Sequence, residues 1–255
     1  MARHQNGTKP LKSVRTAFKI IEHLKENGSG SVKEVSQQFG FPKSTVHTHL
    51  STLNQLGYLA NDNGTYRLSF RLVHLGRSIE ESHDLRQIVA PVVENIAEET
   101  GERVYFAVEE NGLATNIAIT EGEKSIQHQF LPGGQTRMHT TASGKAILAF
   151  LPPEKVDEIV RRWGMPPQAP NTITEREELN ASLESIREDG IAYAREESFK
   201  GMFEIGKPIL SDDERPHGAL EIAGPIKRLD DEEYCRELVD TVEKAANEIE
   251  VNLLL

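Results

Sequence analysis

The chain has 255 residues, 27% of them charged and 6% aromatic, and a formal net charge of −11. That length fits two domains or one large one, and no apolar run approaches the roughly 20 residues of a membrane span. The single cysteine, Cys235, excludes an internal disulfide and a cysteine-rich metal site.

The opening residues, MARHQNGTKPLK, lack the apolar core of a signal peptide, so a cytoplasmic protein is expected. Residues 1–9 read as a flexible tail. Charge is unevenly placed: residues 1–70 hold nine Lys/Arg and four Asp/Glu, a net +5, whereas residues 71–255 carry −16. A basic quarter on an acidic body suggests a polyanion-binding module joined to a part that avoids polyanions.

Residues 13–27 place Val14, Ala17, Phe18, Ile21 and Leu24 at helical spacing, with Gly28 as a stop. Ser31 and Glu34 fit a capping box opening a second helix that ends at Gly40. A third helix starts near Pro42, with Val46, Leu50, Leu53 and Gly57 on one side. Ser44, Thr48, Ser51 and Gln55 fall opposite, with Thr45 and His47 on the flanks. A solvated helix face usually carries long charged chains; one of short hydroxyls and imidazoles suits close approach to a partner. Two helices joined by a tight turn form a helix-turn-helix, whose second helix enters the DNA major groove. Tyr58, Leu59 and Ala60, an Asp62-Asn63-Gly64 turn and the alternating Thr65–Leu68 then read as a β-hairpin, a wing placing Arg67 near the sugar-phosphate backbone. Lys12, Arg15, Lys43 and Arg67 are the expected phosphate contacts.

Residues 69–82 and 84–100 read as connecting helices, with Pro91 expected to kink the second or begin another. Because winged helices usually read half-sites as symmetric dimers, a dimerising role is expected for this connector. Strands follow over 104–109, 113–120 and 125–130, and helices over 141–151 and 153–163. A helix capped by Thr174 and Glu177 is expected to end at Gly190. It precedes strands near 191–196, 202–210 and 219–223 and a last helix from about Asp230. An antiparallel sheet with segregated helices gives an α+β, sensor-like domain.

The segments SVRTAFKIIEHL, EVSQQFGFPKSTVHTHLSTLNQLGYL and YRLSFRLVHLG resemble the N-terminal domain of IclR-family transcription regulators. HTTASGKAILAFLP, TITEREELNASLESIREDGIAYAREE, KPIL and ALEIAGPIKRL resemble that family's effector-binding domain, in order and spacing. The resemblance implies a GAF-like fold that binds a small molecule. The expected organisation is therefore a winged helix-turn-helix over 10–70, linker and dimerisation helices over 71–100, and an effector-binding domain over 101–255. Expected partners are a palindromic double-stranded operator, a metabolite effector and further copies of the chain, as a dimer or a dimer of dimers. No membrane, metal or cofactor is expected. Where the family usually carries arginine after STVH, this chain has Thr48.

MHTTASGKA invites a phosphate-loop reading but fails it. The spacing needs glycine where His139 stands, and Ala146 replaces the magnesium-binding hydroxyl. Small residues opening a helix offer backbone N–H groups to a ligand carboxylate or carbonyl, unless Thr141 or Ser143 caps them. In the resembling family this loop lines the effector pocket, which implies a floor of His139, Thr141, Ala142, Ser143 and Gly144. Further walls would come from Glu196, Glu197 and Gly201, and from Glu221 and Ala223, where the family commonly has serines. If Glu221 faces the pocket it needs a cation; Lys207 is the expected partner, with an effector of hydroxyl or amine character at that end. Glu221 on a solvent face is the alternative. A Ser143–His139 pair with Glu196 or Glu197 could be imagined as catalytic, but no G-x-S-x-G elbow or HExxH motif stands in the chain, and no enzyme is expected.

Overall fold

The computed structural model describes residues 10–125 and 131–254. The tail expected over 1–9 and most of the strand expected over 125–130 lie outside them. The chain divides into two compact units, parting between Ser82 and His83.

The first unit contains α1 (Lys12–Asn27), β1 (Gly30–Ser31), α2 (Val32–Phe39), α3 (Lys43–Gln55), β2 (Leu59–Asp62), β3 (Thr65–Leu68) and α4 (Arg71–Ser82). The capping box forms: the Glu34 N–H donates to Ser31 Oγ at 3.3 Å and the Ser31 N–H to Glu34 Oε2 at 2.7 Å. Such a cap contributes about 1 kcal/mol. Asn63 and Gly64 both adopt positive φ, as a two-residue hairpin turn requires. The two-residue β1, too short to leave a periodic pattern, pairs with β3 and makes a three-stranded sheet in the order β1-β3-β2. Ile20, Leu24, Val35, Val46, Leu50, Leu53, Leu59 and Tyr66 form the core.

Two apolar sets face outward instead. Along α1 the buried stripe is Ile20 and Leu24, whereas Leu11, Val14 and Phe18 are 70%, 50% and 62% exposed. On α4 no residue is buried, and Val73 and Ile79 are exposed. Gly57 lies past the end of α3 rather than on its inner face, with φ of 82°.

The second unit opens with α5 (Asp84–Thr100), which runs through Pro91; the break between the connecting helices falls at His83. Then come β4 (Arg103–Glu110), β5 (Leu113–Thr120), β6 (Gln135–Arg137), α6 (Ala142–Ala149), α7 (Pro153–Trp163), α8 (Arg176–Asp189), β7 (Ala192–Arg195), β8 (Met202–Leu210), β9 (Pro216–Pro225), α9 (Ile226–Leu229) and α10 (Glu232–Leu253). The Thr174–Glu177 cap does not form: Glu175 precedes α8 without a side-chain cap bond. Among the described residues the strands form one antiparallel sheet, ordered β6-β5-β4-β9-β8-β7.

Strand alternation sorts this sheet into two faces. Val104, Phe106, Phe203, Ile205, Leu220 and Ile222 pack with α5 and α10. Small residues on the other face, Ala107, Ala114, Ala192, Ala194 and Ala219, pack with the helices α6 to α8. Gly206 sets the approach of α6, since a Cβ there would sit 2.7 Å from the Ala142 carbonyl carbon. The N-terminus of α6 is thereby pressed onto β8 and β9. No helix among the described residues is long and apolar enough to cross a membrane.

Candidate functional site

Two places in the chain carry chemistry. The first is the outer side of α3. Val46, Leu50 and Leu53 are buried, which turns Lys43, Ser44, Thr45, His47 and Thr48 to solvent; Ser51 is half-buried. Thr48 Oγ1 donates to the Ser44 carbonyl at 2.9 Å, so this hydroxyl is held against its own helix. Lys12 and Arg15 on α1 and Arg67 on β3 are exposed. Among the described residues none of these four cations has an acidic partner within ion-pair distance. The Arg67 guanidinium contacts only its neighbour's backbone, the Leu68 carbonyl at 3.4 Å.

The second is a cavity between the N-terminus of α6 and the small-residue face of the sheet. Thr141, Ser143, Glu221 and Ala223 line it, as does the family-implied loop in part; Arg103, Tyr105, Asn116, Thr136, Ser198, Phe199, Met202 and Glu204 complete it. Two carboxylates dominate. Glu204 and Glu221, each 4% exposed, stand on the same face of adjacent strands, because Glu204 pairs with Ala223 and Gly206 with Glu221. They occupy successive N–H groups of the helix start: Ala142 donates to Glu204 Oε2 at 3.0 Å and Ser143 to Glu221 Oε2 at 2.7 Å. Gly144 donates to Thr141 Oγ1 at 3.0 Å, which is the capping alternative. The helix terminus therefore does not offer these three N–H groups to a ligand carboxylate.

Burial, reinforced by the Glu221 charge, pushes the Glu204 carboxyl well above its ordinary 4.5. Burial also raises Glu221, and the Ser143 contacts pull it only part of the way back. The Ser198 hydroxyl donates to Glu204 Oε1. Two like carboxyls so placed titrate as one coupled unit, both raised above the ordinary carboxylate range.

Several family-implied pocket residues serve elsewhere. Lys207 is not the partner of Glu221: strand alternation puts it on the opposite face, where it meets Glu243 of α10 at 3.4 Å. His139 is 3% exposed with Nε2 3.4 Å from the Pro166 carbonyl, so it neither lines the cavity nor serves Ser143 as a base. Burial lowers its pKa from 6.5. Glu196 takes the Gly201 N–H at 2.7 Å, and Glu197 binds the Lys145 ammonium at 2.6 Å; these residues brace the cavity wall from behind. Ala142 and Gly144 contribute only through their engaged N–H groups. Among the described residues no group of three or more His, Cys, Asp and Glu could hold a metal.

Residues 13–63 match the IclR helix-turn-helix domain, and residues 78–251 match the bacterial transcriptional regulator IclR C-terminal domain. The chain belongs to the IclR family. The transcriptional repressor IclR of Escherichia coli K12 is 31% identical over 248 residues, covering 95% of this chain and 90% of that protein. The probable HTH-type transcriptional regulator ArcR of Halobacterium salinarum is 29% identical over 247 residues, 95% of this chain and 94% of its own. The crystal structure of the Thermotoga maritima IclR superposes with a TM-score of 0.78 at 29% identity, over 94% of this chain and 98% of that one. An IclR homologue from Microbacterium hydrocarbonoxydans, complexed with 4-hydroxybenzoate, shares the fold at 22% identity, with a TM-score of 0.79 over 95% and 99% of the two chains.

These relationships make the protein an IclR-family transcription regulator with a DNA-binding helix-turn-helix, in which α2 and α3 are the helix pair. Its named relatives are regulators and repressors. The cavity residue that sequence reasoning passed over with the largest consequence is Glu204. Its signal was a lone acid in the apolar run MFEIGKPIL, in phase with Gly206.

Proposed function

We propose that this IclR-family regulator binds a two-fold symmetric DNA operator as a homodimer, through the outer face of α3, and that a small metabolite in the second unit's cavity modulates that binding. The observation that carries the DNA contact is the sidedness of α3: its long apolar residues are buried while Ser44, Thr45, His47 and Thr48 face outward. Lys12, Arg15, Lys43 and Arg67 serve the phosphates, and Ser51 closes the inner edge of the reading face. Two such helices on one duplex face read half-sites about 34–36 Å apart, or a multiple of it. The exposed stripes of α1 and α4 support a second copy as partner, since both belong to the DNA-reading unit. A regulator of this kind works in the cytoplasm, where its operator is.

Lys43→Ala is expected to weaken binding to the protein's own upstream DNA by about 3–10-fold on every fragment tested, and to lower the salt slope by roughly one. Fluorescence anisotropy across a salt series measures both. Unchanged affinity and slope would remove Lys43 from the interface, and no shift on any upstream fragment at low salt would remove the reading itself. Phe18→Glu is expected to leave the fold intact, because the ring is 62% exposed, while converting dimers to monomers in analytical ultracentrifugation.

The effector reading stands on the polar residues that line the cavity and on the 4-hydroxybenzoate complex of the Microbacterium relative. A ligand changes DNA affinity only if it favours one dimer geometry over another.

A further inference from the structure

From the arrangement of Glu204, Glu221 and Asn116 we infer that the cavity takes a small organic ammonium ion bearing a hydroxyl group, an amino-alcohol-like ligand and not a carboxylate. The inference rests on the effector-pocket reading and specifies its ligand class.

The wall contributed by β8 and β9 presents two buried carboxylates, and among the described residues neither has an ion-pair partner. The nearest cations are committed elsewhere. The Lys145 ammonium is held by both Glu197 oxygens and the Tyr193 carbonyl, at 2.6 to 2.7 Å. Arg103 reaches Glu121 at 2.7 Å and the Tyr105 hydroxyl at 3.3 Å. Each glutamate spends one oxygen, Oε2, on a backbone N–H of α6. Glu204 Oε1 is taken by the Ser198 hydroxyl, and the Glu221 carboxyl meets the Ser143 side chain as well as its N–H, so among the described residues hydrogen-bond donors but no cation reach the pair. A buried carboxylate pair without a counter-ion calls for a cationic donor.

Asn116 supplies the second, independent mark of a ligand. Its residue is 6% exposed and lines the cavity, its backbone is engaged by Gly133 and Gly134, and its side-chain amide has no hydrogen-bond partner among the described residues. That amide opens into the cavity, where a polar group of an occupant can meet it. A ligand hydroxyl can both accept from and donate to such an amide. An anion is disfavoured because it would meet the carboxylate pair, with the α6 N–H groups already taken. A neutral diol satisfies Asn116 but leaves the residual negative charge buried. A metal ion lacks the ligand set, since the described residues hold no cluster of three or more metal-binding side chains. The enclosed space of about 20 Å³ is the size of one or two waters, so even the smallest such ligand has to widen it.

Three small two-carbon probes separate these chemistries: ethanolamine, ethylene glycol and glycolate, titrated calorimetrically into the full-length protein alongside magnesium and zinc chlorides. Ethanolamine is expected to bind at least about tenfold more tightly than the diol or the acid. It should release protons, seen as a dependence of the heat on the buffer's ionisation enthalpy. Glu221→Gln and Asn116→Ala should each weaken it by about tenfold while melting remains cooperative. Equal binding of ethylene glycol or glycolate, or binding of a metal salt alone, overturns the assignment, and because that comparison uses the unaltered protein it does not depend on the variants folding. DNA anisotropy with the same probes separates the two levels. A response to glycolate that Ala223→Leu abolishes ends the ammonium assignment and leaves an effector pocket. Silence from all three probes counts against both.

Discussion

Lys145→Met is expected to destabilise the protein by ~3–5 kcal/mol at neutral pH, among the largest single losses available outside the apolar core. Lys145 is 1% exposed although it lies on α6, and its ammonium donates to both oxygens of Glu197 and to the Tyr193 carbonyl. Burial pushes the Glu197 carboxyl above its ordinary 4.5, and the lysine pulls back only part of that shift. Without the lysine the carboxylate is left buried and uncompensated, so its folded-state pKa rises further. A carboxyl raised in the folded state is stabilising below its unfolded pKa, and that stabilisation disappears as pH rises through the folded value. The variant's deficit should therefore be smaller at pH 5 than at pH 8. Replacing both partners, Lys145→Met with Glu197→Leu, should recover most of the loss, because an apolar pair costs no charge burial. Urea unfolding at the two pH values, for both variants, measures the cycle. Equal deficits at pH 5 and pH 8 would show that packing, and not charge, holds this contact. The same pair ties α6 to the segment that carries Ser198 and Phe199, so the single variant should also loosen the cavity wall.

The DNA-reading unit was the most legible part of the sequence because its information is local. Ser31 and Glu34 lie three residues apart, Asn63-Gly64 dictates its own turn, and the α3 face follows from a 3.6-residue period. On α1 the helical period holds and Ala17, Ile21 and Leu24 meet the core, but Val14 and Phe18, apolar and on the same spacing, are exposed. The cavity was legible only in fragments. Strand parity tells that Glu221 and Ala223 share a face, but not which face of β9 meets which face of β8. Register decides that, and register placed Glu204 beside Glu221 and sent Lys207 to α10. Arg103 and Tyr105 reach the site because β4, distant in sequence, is the other neighbour of β9. The family resemblance pointed to a loop of which Thr141 and Ser143 line the cavity. It could not supply the acidic pair, since the family commonly has serine at position 221.

Stability should fall with rising pH above about 4.5, by ~1.4 kcal/mol per pH unit for each proton that the folded state holds and the unfolded chain does not, and Glu204→Gln should flatten that slope. The sign follows from the cavity. Both carboxyls are raised by burial, Glu204 further by the neighbouring Glu221 charge, so between the unfolded pKa and the folded one the native state binds the extra proton. The charged and titratable groups around the pair are few. From β4 come Arg103, engaged by Glu121, and Tyr105, whose hydroxyl burial raises far above neutrality. From α6 comes Lys145, engaged by Glu197, and the segment after β7 adds the Ser198 hydroxyl. None is free to neutralise a second negative charge at the pair. Glutamine at 204 keeps an oxygen for the Ala142 N–H while removing the charge that Glu221 opposes, so Glu221 should ionise without its buried neighbour and the proton uptake on folding should shrink. Urea midpoints measured every half unit from pH 4.5 to 8.5 give both slopes. His139, lowered by burial, adds an opposite slope up to about pH 6.5; a wild-type profile that climbs above pH 7 would mean the pair ionises freely, and with it the uncompensated site that calls for a cation would vanish. A falling profile that Glu204→Gln leaves unchanged would place the proton on another group.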